Sequence, residues 1–336
     1  MERGNSKIIA GSAAILLLVL SIVFAMHIGA GKVSLRNIFS LDDYSRMVLF
    51  SLRLPRILSA ALVGAILASC GAAIQGLFRN PLADPSLIGV TAGASLGGAS
   101  VIFFGQMLQW QYSSLSQSLS ISLGASLGAL LFVALVFRLA RNSFGTSVAT
   151  MLLVGIALTA FASSITSLFE YLSDNQTLRR ISLWRMGNLE SSNYLKVTFL
   201  LVTATFCSIA LQTQAKSLNA ILLGEAEARH LGIDTEVSKR WVIAAVAIGT
   251  GVTVAVAGAI AFVGLIVPHF VRMMFGPNHR ILIPFSAAFG AILLVCADTC
   301  ARTVLSPSEL PAGLLTALLG APFFIALLRR RLEYGF

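Results

Sequence analysis

The sequence predicts an all-helical protein that crosses the membrane about ten times. Of its 336 residues, 57% are hydrophobic and only 11% are charged, and the mean hydropathy is +0.86. A chain of this composition has too little polar surface to cover a water-soluble globule. A spanning helix needs about 20 apolar residues. Ten segments qualify, the eighth being short: 8–28, 54–78, 87–108, 118–139, 146–169, 195–213, 241–258, 260–274, 281–301 and 310–328.

The polar connections are too short to hold a soluble domain. The longest are 29–53, 170–194 and 214–240, so we expect one membrane domain over residues 1–336. In a soluble protein the net charge of +10 would suggest a nucleic-acid partner, but here the basic residues lie in connections between apolar segments. Lys and Arg favour cytoplasmic loops. Their distribution fits cytoplasmic termini, contact with membrane lipid and no nucleic-acid partner.

A polar turn bracketed by two prolines connects the second and third segments. Pro81 and Pro85 cannot continue a helix, so the chain must turn here. Asp84 or Ser86 is placed to cap the helix that begins near Leu87. The spacing fits an ordinary interhelical connection as well as it fits a functional element.

The connection 214–240 contains an amphipathic stretch that is too polar to span a membrane. Gly224 and Gly232 indicate helix ends within it. Glu225, Glu227 and Arg229 face water, opposite an apolar stripe. That stripe consists of Leu218, Leu222, Leu223, Ala226 and Leu231. We expect a pair of short helices that dock in a groove on another protein. A helix lying on lipid headgroups is the alternative, which the two glutamates disfavour.

Charged residues near the ends of two segments form a second group of candidates. Arg53 and Arg56 lie at the start of the second segment, where the helix dipole does not favour positive charge. Carboxylates of a partner protein would explain them better. Asp298 is the only acid inside an apolar run, and Arg302 follows it by four residues, so we expect an ion pair between them.

The helical segments carry hints of a repeat. Residues 71–76 and 258–264 spell similar glycine-rich sequences, each followed by a proline and another small-residue helix. If segments 2–5 and 7–10 are the two repeats, their topologies are inverted, which is a common transporter plan. Pro268 is expected to end or kink the eighth helix.

Smaller features complete the pattern. A short interfacial helix is expected near 178–186, because apolar residues recur there at helical spacing. Paired glycines in segments 3 and 4 predict close helix packing. The four cysteines, which lack any C-x-x-C pair, are expected to be packed core thiols: Cys70, Cys207, Cys296 and Cys300.

The apolar segments lack the groups that would let this chain drive or conduct transport by itself, which indicates a separate source of energy. An ion-coupled transporter needs titratable groups near the middle of the membrane, and a channel needs a ring of polar filter groups. Neither pattern occurs in the apolar segments. The simplest reading is a transport subunit that is not itself an enzyme and that takes energy from a separate ATPase.

Six motifs, taken in order, resemble one family. They are Leu52-Arg-Leu-Pro-Arg56, Gln75 to Pro85, Leu223-Gly-Glu to Gly232, Phe262-Val-Gly-Leu-Ile-Val-Pro-His269, Ala297-Asp-Thr-x-Ala-Arg302 and Leu310-Pro-Ala-Gly313 to Phe323. Together they resemble the permease family of type II ABC importers for iron siderophores, haem and cobalamin (FecCD-like). This resemblance implies ten helices in each of two permeases, most simply a homodimer. It also implies two cytoplasmic ATPases that bind ATP, a periplasmic binding protein and a location in the bacterial inner membrane.

The resemblance also implies roles for particular residues. Arg53, Arg56 and Arg302 match residues that dock the binding protein. Asn80, Pro81 and Leu82 match one cytoplasmic gate, and Thr146 and Ser147 resemble the other. Segments 5 and 10 would line the path. Coupling helices at about 216–233 would insert into the ATPase through Leu223, Gly224, Glu225, Ala226, Arg229, Leu231 and Gly232.

Within this family, the turn at 77–85 and the loop 176–187 most resemble the haem branch. Haem is then the expected cargo, with no permanently bound cofactor or metal, and a ferric siderophore or cobalamin is the alternative. His27 and Arg179 are the candidate contacts to the cargo. The reason for His27 is that its imidazole is a good iron ligand. An ion-coupled transporter or a channel is the remaining alternative.

Overall fold

The computed structural model describes residues 2–28, 43–110, 114–142, 145–306 and 308–334. Much of the predicted connection 29–53 lies outside them. Ten long helices, here α1 to α10, correspond to the ten predicted segments. They are α1 (Glu2–His27), α2 (Leu54–Leu77), α3 (Val90–Met107), α4 (Ser114–Leu139), α5 (Val148–Leu172), α6 (Tyr194–Thr213), α7 (Thr235–Ala257), α8 (Val263–Phe275), α9 (His279–Thr303) and α10 (Ala312–Tyr334). In the part of the chain so described, eight helices are long and apolar enough to cross a membrane, and α8 and α10 contain shorter apolar stretches.

Short elements lie in the connections. A helical turn (Asp43–Arg46) and a π-helix (Met47–Arg53) run directly into α2. A short helix, predicted near 178–186, is present as Asn175–Arg185. The remaining short elements are a 3-10 turn (Pro85–Ile88), two antiparallel two-residue strands, β1 (Arg141–Asn142) and β2 (Gly145–Thr146), and two short helices (Ala215–Ile221 and Glu225–His230).

The eighth helix is as short as the sequence predicts. With 13 residues, it rises only about 20 Å against a hydrocarbon core of about 30 Å. Of the two alternatives expected for Pro268, an end or a kink, the end does not occur, because the helix continues through Pro268 to Phe275. Pro268 is buried, and packing on both sides offsets the one backbone hydrogen bond that proline cannot make.

The two first helices of the predicted repeats form the centre of the fold. In the apolar 18-residue stretch of each helix, 83% of the residues are buried for α2 (with the segment before it) and 72% for α7. The corresponding share is only 17% for α1 and for α5. The helices α2, α3, α4 and α5 have the same packing partners as α7, α8, α9 and α10, respectively, when each partner is replaced by its counterpart in the other repeat. Thus α2 packs on α9 as α7 packs on α4, and α3 packs on α4 and α5 as α8 packs on α9 and α10. This is the arrangement that two repeats predict.

Glycines bring α3 and α4 into backbone contact, as their spacing predicts. A Cβ atom on Gly97 would collide with the carbonyl oxygen of Gly124, and one on Gly93 would collide with that of Gly128. Such close approach maximises dispersion contacts where lipid offers helices no hydrophobic reason to associate.

The prediction of four core cysteines is half wrong. Cys70 and Cys207 are buried between helices, but Cys296 and Cys300 are exposed. Both exposed thiols lie on α9, and Cys296 lines a surface groove with apolar side chains of α1. Hydropathy alone does not distinguish a side chain that faces lipid from one that faces another helix, because both surroundings are apolar.

Candidate functional site

The proline-bracketed turn is rigid because its own side chains hold it. The α2 helix ends at Leu77, and the Oδ1 atom of Asn80 accepts a hydrogen bond from the Leu82 amide at 3.0 Å. Asp84 is a cap, but of the 3-10 turn Pro85–Ile88 rather than of α3 as predicted: its Oδ1 atom accepts a hydrogen bond from the Ser86 amide at 2.8 Å. The α3 helix begins only at residue 90, because Gly89 is left-handed with φ at 77°.

Two adjoining cavities lie beside this turn. The first, of about 310 Å³, is lined by Leu82, Asp84 and Pro85 together with Phe324 of α10. The second, of about 400 Å³, is lined mainly by α3 and α5. They share four lining residues: Ser86, Leu87, Thr91 and Ala259. Burial raises the pKa of the Asp84 carboxyl, and the hydrogen bonds from Ser86 partly oppose that rise.

The second predicted gate pair lies where β2 meets α5. Ser147 caps α5, because its Oγ atom accepts a hydrogen bond from the Thr150 amide at 3.3 Å. Thr146 is only 4% exposed. Both its amide and its hydroxyl donate to the Oε2 atom of Glu236, at 3.1 and 2.9 Å. Among the described residues, no hydrogen bond joins this pair to the turn at Asn80 within one chain.

The predicted pair of amphipathic helices is present as Ala215–Ile221 and Glu225–His230, here called the coupling helices after the role that the family resemblance implies. Gly224 and Gly232 have positive φ values, as expected of residues that start and stop helices. Leu218 is buried against the bundle, whereas Leu223 and Leu231 are 68% and 64% exposed. Because these two leucines are large, apolar and exposed, they suit a partner's groove.

A network that the motifs did not reveal joins the second of these helices to Thr146, one of the predicted gate residues. The Nζ atom of Lys239 donates to Glu225 Oε2 at 2.8 Å, to Glu236 Oε1 at 3.0 Å and to the Thr146 carbonyl oxygen at 3.0 Å. These four residues are called the lysine network below. The spacing of Glu236 and Lys239 on α7 is visible in the sequence, but nothing local connects them to Thr146.

The three predicted docking arginines come together, but they are buried. They are 5% (Arg53), 7% (Arg56) and 4% (Arg302) exposed. Arg56 makes a two-pronged ion pair with Asp298 at 3.0 Å and a second contact with Glu309 at 2.6 Å. The carboxylates that the sequence analysis sought in a partner are therefore supplied by this chain.

The same cluster also ties α1 to the bundle. The expected pair of Arg302 with Asp298 is confirmed at 3.3 Å. Arg53 donates to the Met26 carbonyl oxygen at 2.9 Å, and Arg302 donates to that of Ala25 at 3.3 Å. Both carbonyls belong to the last turn of α1, where the helix dipole favours a cation. The five residues Arg53, Arg56, Asp298, Arg302 and Glu309 are called the arginine cluster below.

The two candidate cargo contacts lie apart from the cavities. His27 is exposed at the end of α1, where its Nδ1 atom is 2.9 Å from the Val23 carbonyl oxygen. It lines the apolar surface groove between α1 and α9. Arg179 is exposed on the short helix Asn175–Arg185. Neither residue lines the two cavities beside the turn.

Comparison with known proteins places the chain in a family. The FecCD transport family matches residues 17–330. The haemin transport system permease HmuU of Yersinia pestis is 40% identical over 98% of both chains. The cobalamin import permease BtuC of Halobacterium salinarum is 39% identical over 87% of this chain and 76% of its own. The molybdate import permease MolB of Haemophilus influenzae is 37% identical over 92% of both.

Two solved structures are similar to this chain. An inward-facing structure described as a metal-chelate type ABC transporter superposes with a TM-score of 0.83 at 38% identity, over 95% of this chain and 98% of that one. PsaBC from Streptococcus pneumoniae has a TM-score of 0.57 at 16% identity, over 84% of this chain and 93% of that one, and shares the fold alone. With its apolar helices and near-complete match to these proteins, the chain belongs to the FecCD transport family as the membrane-spanning permease of an ABC importer.

Proposed function

We propose that this permease imports haem, which it receives from a binding protein outside the membrane and releases into the cytoplasm. The observation that carries the proposal is the full-length similarity to the haemin permease of Yersinia pestis. The turn at 77–85 and the loop at 176–187 support it, because their sequences resemble the haem branch. Two permease copies and two separate ATPases complete the proposed importer.

The cavities fit a cargo that is bound weakly and passed on. Their linings combine apolar side chains with hydroxyl groups such as those of Thr91, Ser163 and Thr166. A site of this kind can hold a large, mostly apolar molecule without a strong directional bond. We propose that α5 and α10 of two copies enclose the path, and that tight metal ligation by the permease plays no part.

Gating is proposed to use the two rigid elements beside the cavities. The turn Asn80–Leu82 forms one gate, and Thr146 with Ser147 at the start of α5 forms the other. Closure of the ATPase dimer would move the coupling helices, and the helices that carry these gates would then exchange inward-open and outward-open states.

Docking of the binding protein is proposed at the arginine cluster. Asp298 is 1% exposed as a side chain, whereas Glu309 is 31% exposed. Glu309 is therefore the partner of Arg56 that an acidic group from outside can displace. Docking becomes an exchange of carboxylates on Arg56 rather than the neutralisation of a free positive patch.

Cobalamin is the second candidate cargo, because the Halobacterium permease is 39% identical. A side-by-side assay separates the candidates. The permease, its ATPase and its binding protein are reconstituted in vesicles, and uptake of haem, a ferric hydroxamate siderophore and cyanocobalamin is measured with and without ATP. We expect ATP-dependent uptake of haem that requires the binding protein. Uptake by the permease alone, or uptake of cyanocobalamin without haem, would overturn the proposal.

A further inference from the structure

Lys239 is a buried cation whose three hydrogen bonds reach three different elements. Its side chain is 3% exposed. An ammonium group has three donors, and here they go to the second coupling helix (Glu225), to the first turn of α7 (Glu236) and to β2 (the carbonyl of Thr146). No donor is left over, so the position of Nζ is fixed by all three elements at once.

Glu236 completes the hold on Thr146. Its second oxygen accepts from the amide and the hydroxyl of Thr146, while Lys239 binds the carbonyl oxygen of the same residue. Both peptide groups that flank Thr146 are therefore attached to α7. The next residue, Ser147, caps α5. The start of α5 is thus held in place by Lys239 and Glu236.

A force applied at the coupling helices would reach this point. The exposed Leu223 and Leu231 lie just before and just after the second coupling helix. Glu225 is the first residue of that helix. Separating the buried Lys239 from its carboxylates is costly, because a buried charge that loses its partner is not resolvated. A movement of Glu225 therefore either carries Lys239 with it or breaks the network.

We infer that Lys239 is the positioning residue that transmits movement of the coupling helices to the gate at Thr146 and Ser147. The inference rests on the proposed function, because it needs an ATPase that moves those helices. It adds a route by which that movement reaches α5: through one buried ammonium group, rather than through the apolar packing of α7 alone.

The test measures how much haem enters per ATP hydrolysed, in vesicles that contain the complete importer. Wild-type uptake is measured first. If the wild-type importer takes up no haem, the proposed function fails at that step. With an active wild type, K239M is expected to keep ATP hydrolysis while haem uptake per ATP falls at least about fivefold, within the range for substitutions along a coupling network. K239R, which keeps the charge, is expected to recover most of the loss.

A matched control is available in Lys196. It is also buried, at 6% exposure, but among the described residues the hydrogen bonds of its Nζ atom go to the carbonyl and hydroxyl oxygens of Ser191 alone. K196M should therefore leave haem uptake per ATP unchanged. If K239M does not assemble with the ATPase, E225Q decides the question. Glu225 is partly exposed, and this variant removes the ion pair with Lys239 and leaves only a weaker hydrogen bond at the coupling helix, without emptying the buried site.

A second readout does not depend on the cargo. Ala149 lies exposed in the first turn of α5, so A149C, with the exposed Cys296 and Cys300 replaced by alanine, reports on that helix by its rate of maleimide labelling. ATP and vanadate should change this rate in the parent, and K239M should abolish the change. Wild-type uptake per ATP in K239M or E225Q, or an unaltered labelling change in K239M, would overturn the inference.

Discussion

The arginine cluster and the lysine network both combine cations with two carboxylates, but they differ in how the carboxylates meet water. In the arginine cluster, the side chain of Asp298 is 1% exposed and that of Arg56 is 8% exposed. In the lysine network, Lys239 is 3% exposed, but Glu225 and Glu236 are 27% and 30% exposed. In the arginine cluster the central anion, Asp298, is buried. In the lysine network the cation is buried, whereas the carboxylates of Glu225 and Glu236 reach water.

The two clusters also differ in what they hold: the arginine cluster acts as a clamp between long helices, and the lysine network links a long helix to a short exposed one. The arginine cluster joins the last turn of α1, the start of α2 and the end of α9, so it fastens three long helices to one another. The lysine network joins α7 to a short, largely exposed helix. Because each spanning helix reverses the side of the membrane, the starts of α2 and α7 lie on opposite sides. We expect the first cluster to govern stability and the second to govern coupling.

Asp298→Ala is expected to have the largest effect. It leaves Arg56 and Arg302 buried near each other without the anion between them, which for a broken buried ion pair costs about 3–5 kcal/mol. The measurement is thermal unfolding of the detergent-purified permease. The control is Glu190→Ala, which removes an exposed carboxylate from the connection before α6. Equal unfolding temperatures for the two variants would show that the cluster is no clamp.

Glu236→Gln tests the other side of the comparison. Glutamine keeps the size of the side chain but weakens its bonds to Lys239 and Thr146. Since the carboxylate is partly exposed, we expect a free-energy change of unfolding of less than about 1 kcal/mol. We expect haem uptake per ATP to fall by about fivefold. A variant that unfolds easily yet couples normally would reverse the roles of the two clusters.

Glu309→Gln asks whether the arginine cluster also docks a partner. Removing the displaceable carboxylate frees one side of Arg56, while Asp298 still holds the other. The affinity for the binding protein should rise by about threefold, the weight of a partly exposed ion pair. Titration of the immobilised permease with the binding protein measures this. Arg56→Glu serves as the opposing variant and should abolish binding; unchanged affinity in Glu309→Gln would leave the cluster with a structural role only.

The sequence predicted the helices well because a membrane imposes a strong rule on composition. Spans need continuous apolar residues, so the sequence predicts α2 at 54–78 against the observed Leu54–Leu77. The predicted start of α3 is three residues early, because hydropathy alone does not distinguish the 3-10 turn Pro85–Ile88 and the left-handed Gly89 from helix. The Asp298–Arg302 pair was predictable because both residues lie on one helix.

Contacts between distant parts of the chain could not be predicted in the same way. Arg56 and Asp298 are separated by 242 positions, and Lys239 and Thr146 by 93. Nothing in the local pattern of either residue indicates its partner. Local pattern therefore predicts a partner's carboxylate for the arginines and gives no signal for Lys239, although the sequence contains the residue types of both sites.

Asp174 offers the smallest effect and shows what a carboxylate does without burial. It caps the short helix Asn175–Arg185 by accepting a hydrogen bond from the Thr177 amide at 2.9 Å. This bonding with Thr177 lowers the pKa of Asp174. The cap's stabilisation is therefore complete above the ordinary pKa of about 4, and it is lost as the pH falls through the lowered value. Hydrogen exchange of residues 175–185 should be slower in the wild type than in Asp174→Ala near neutral pH, and the gap should narrow as the pH falls below about 4, since protonation of the carboxylate weakens its bond. Asp174→Asn keeps an uncharged acceptor, so its protection should not change over this range. A wild-type gap that is independent of pH would mean that the charge adds nothing to the cap, and that burial alone gives carboxylates their weight in this protein.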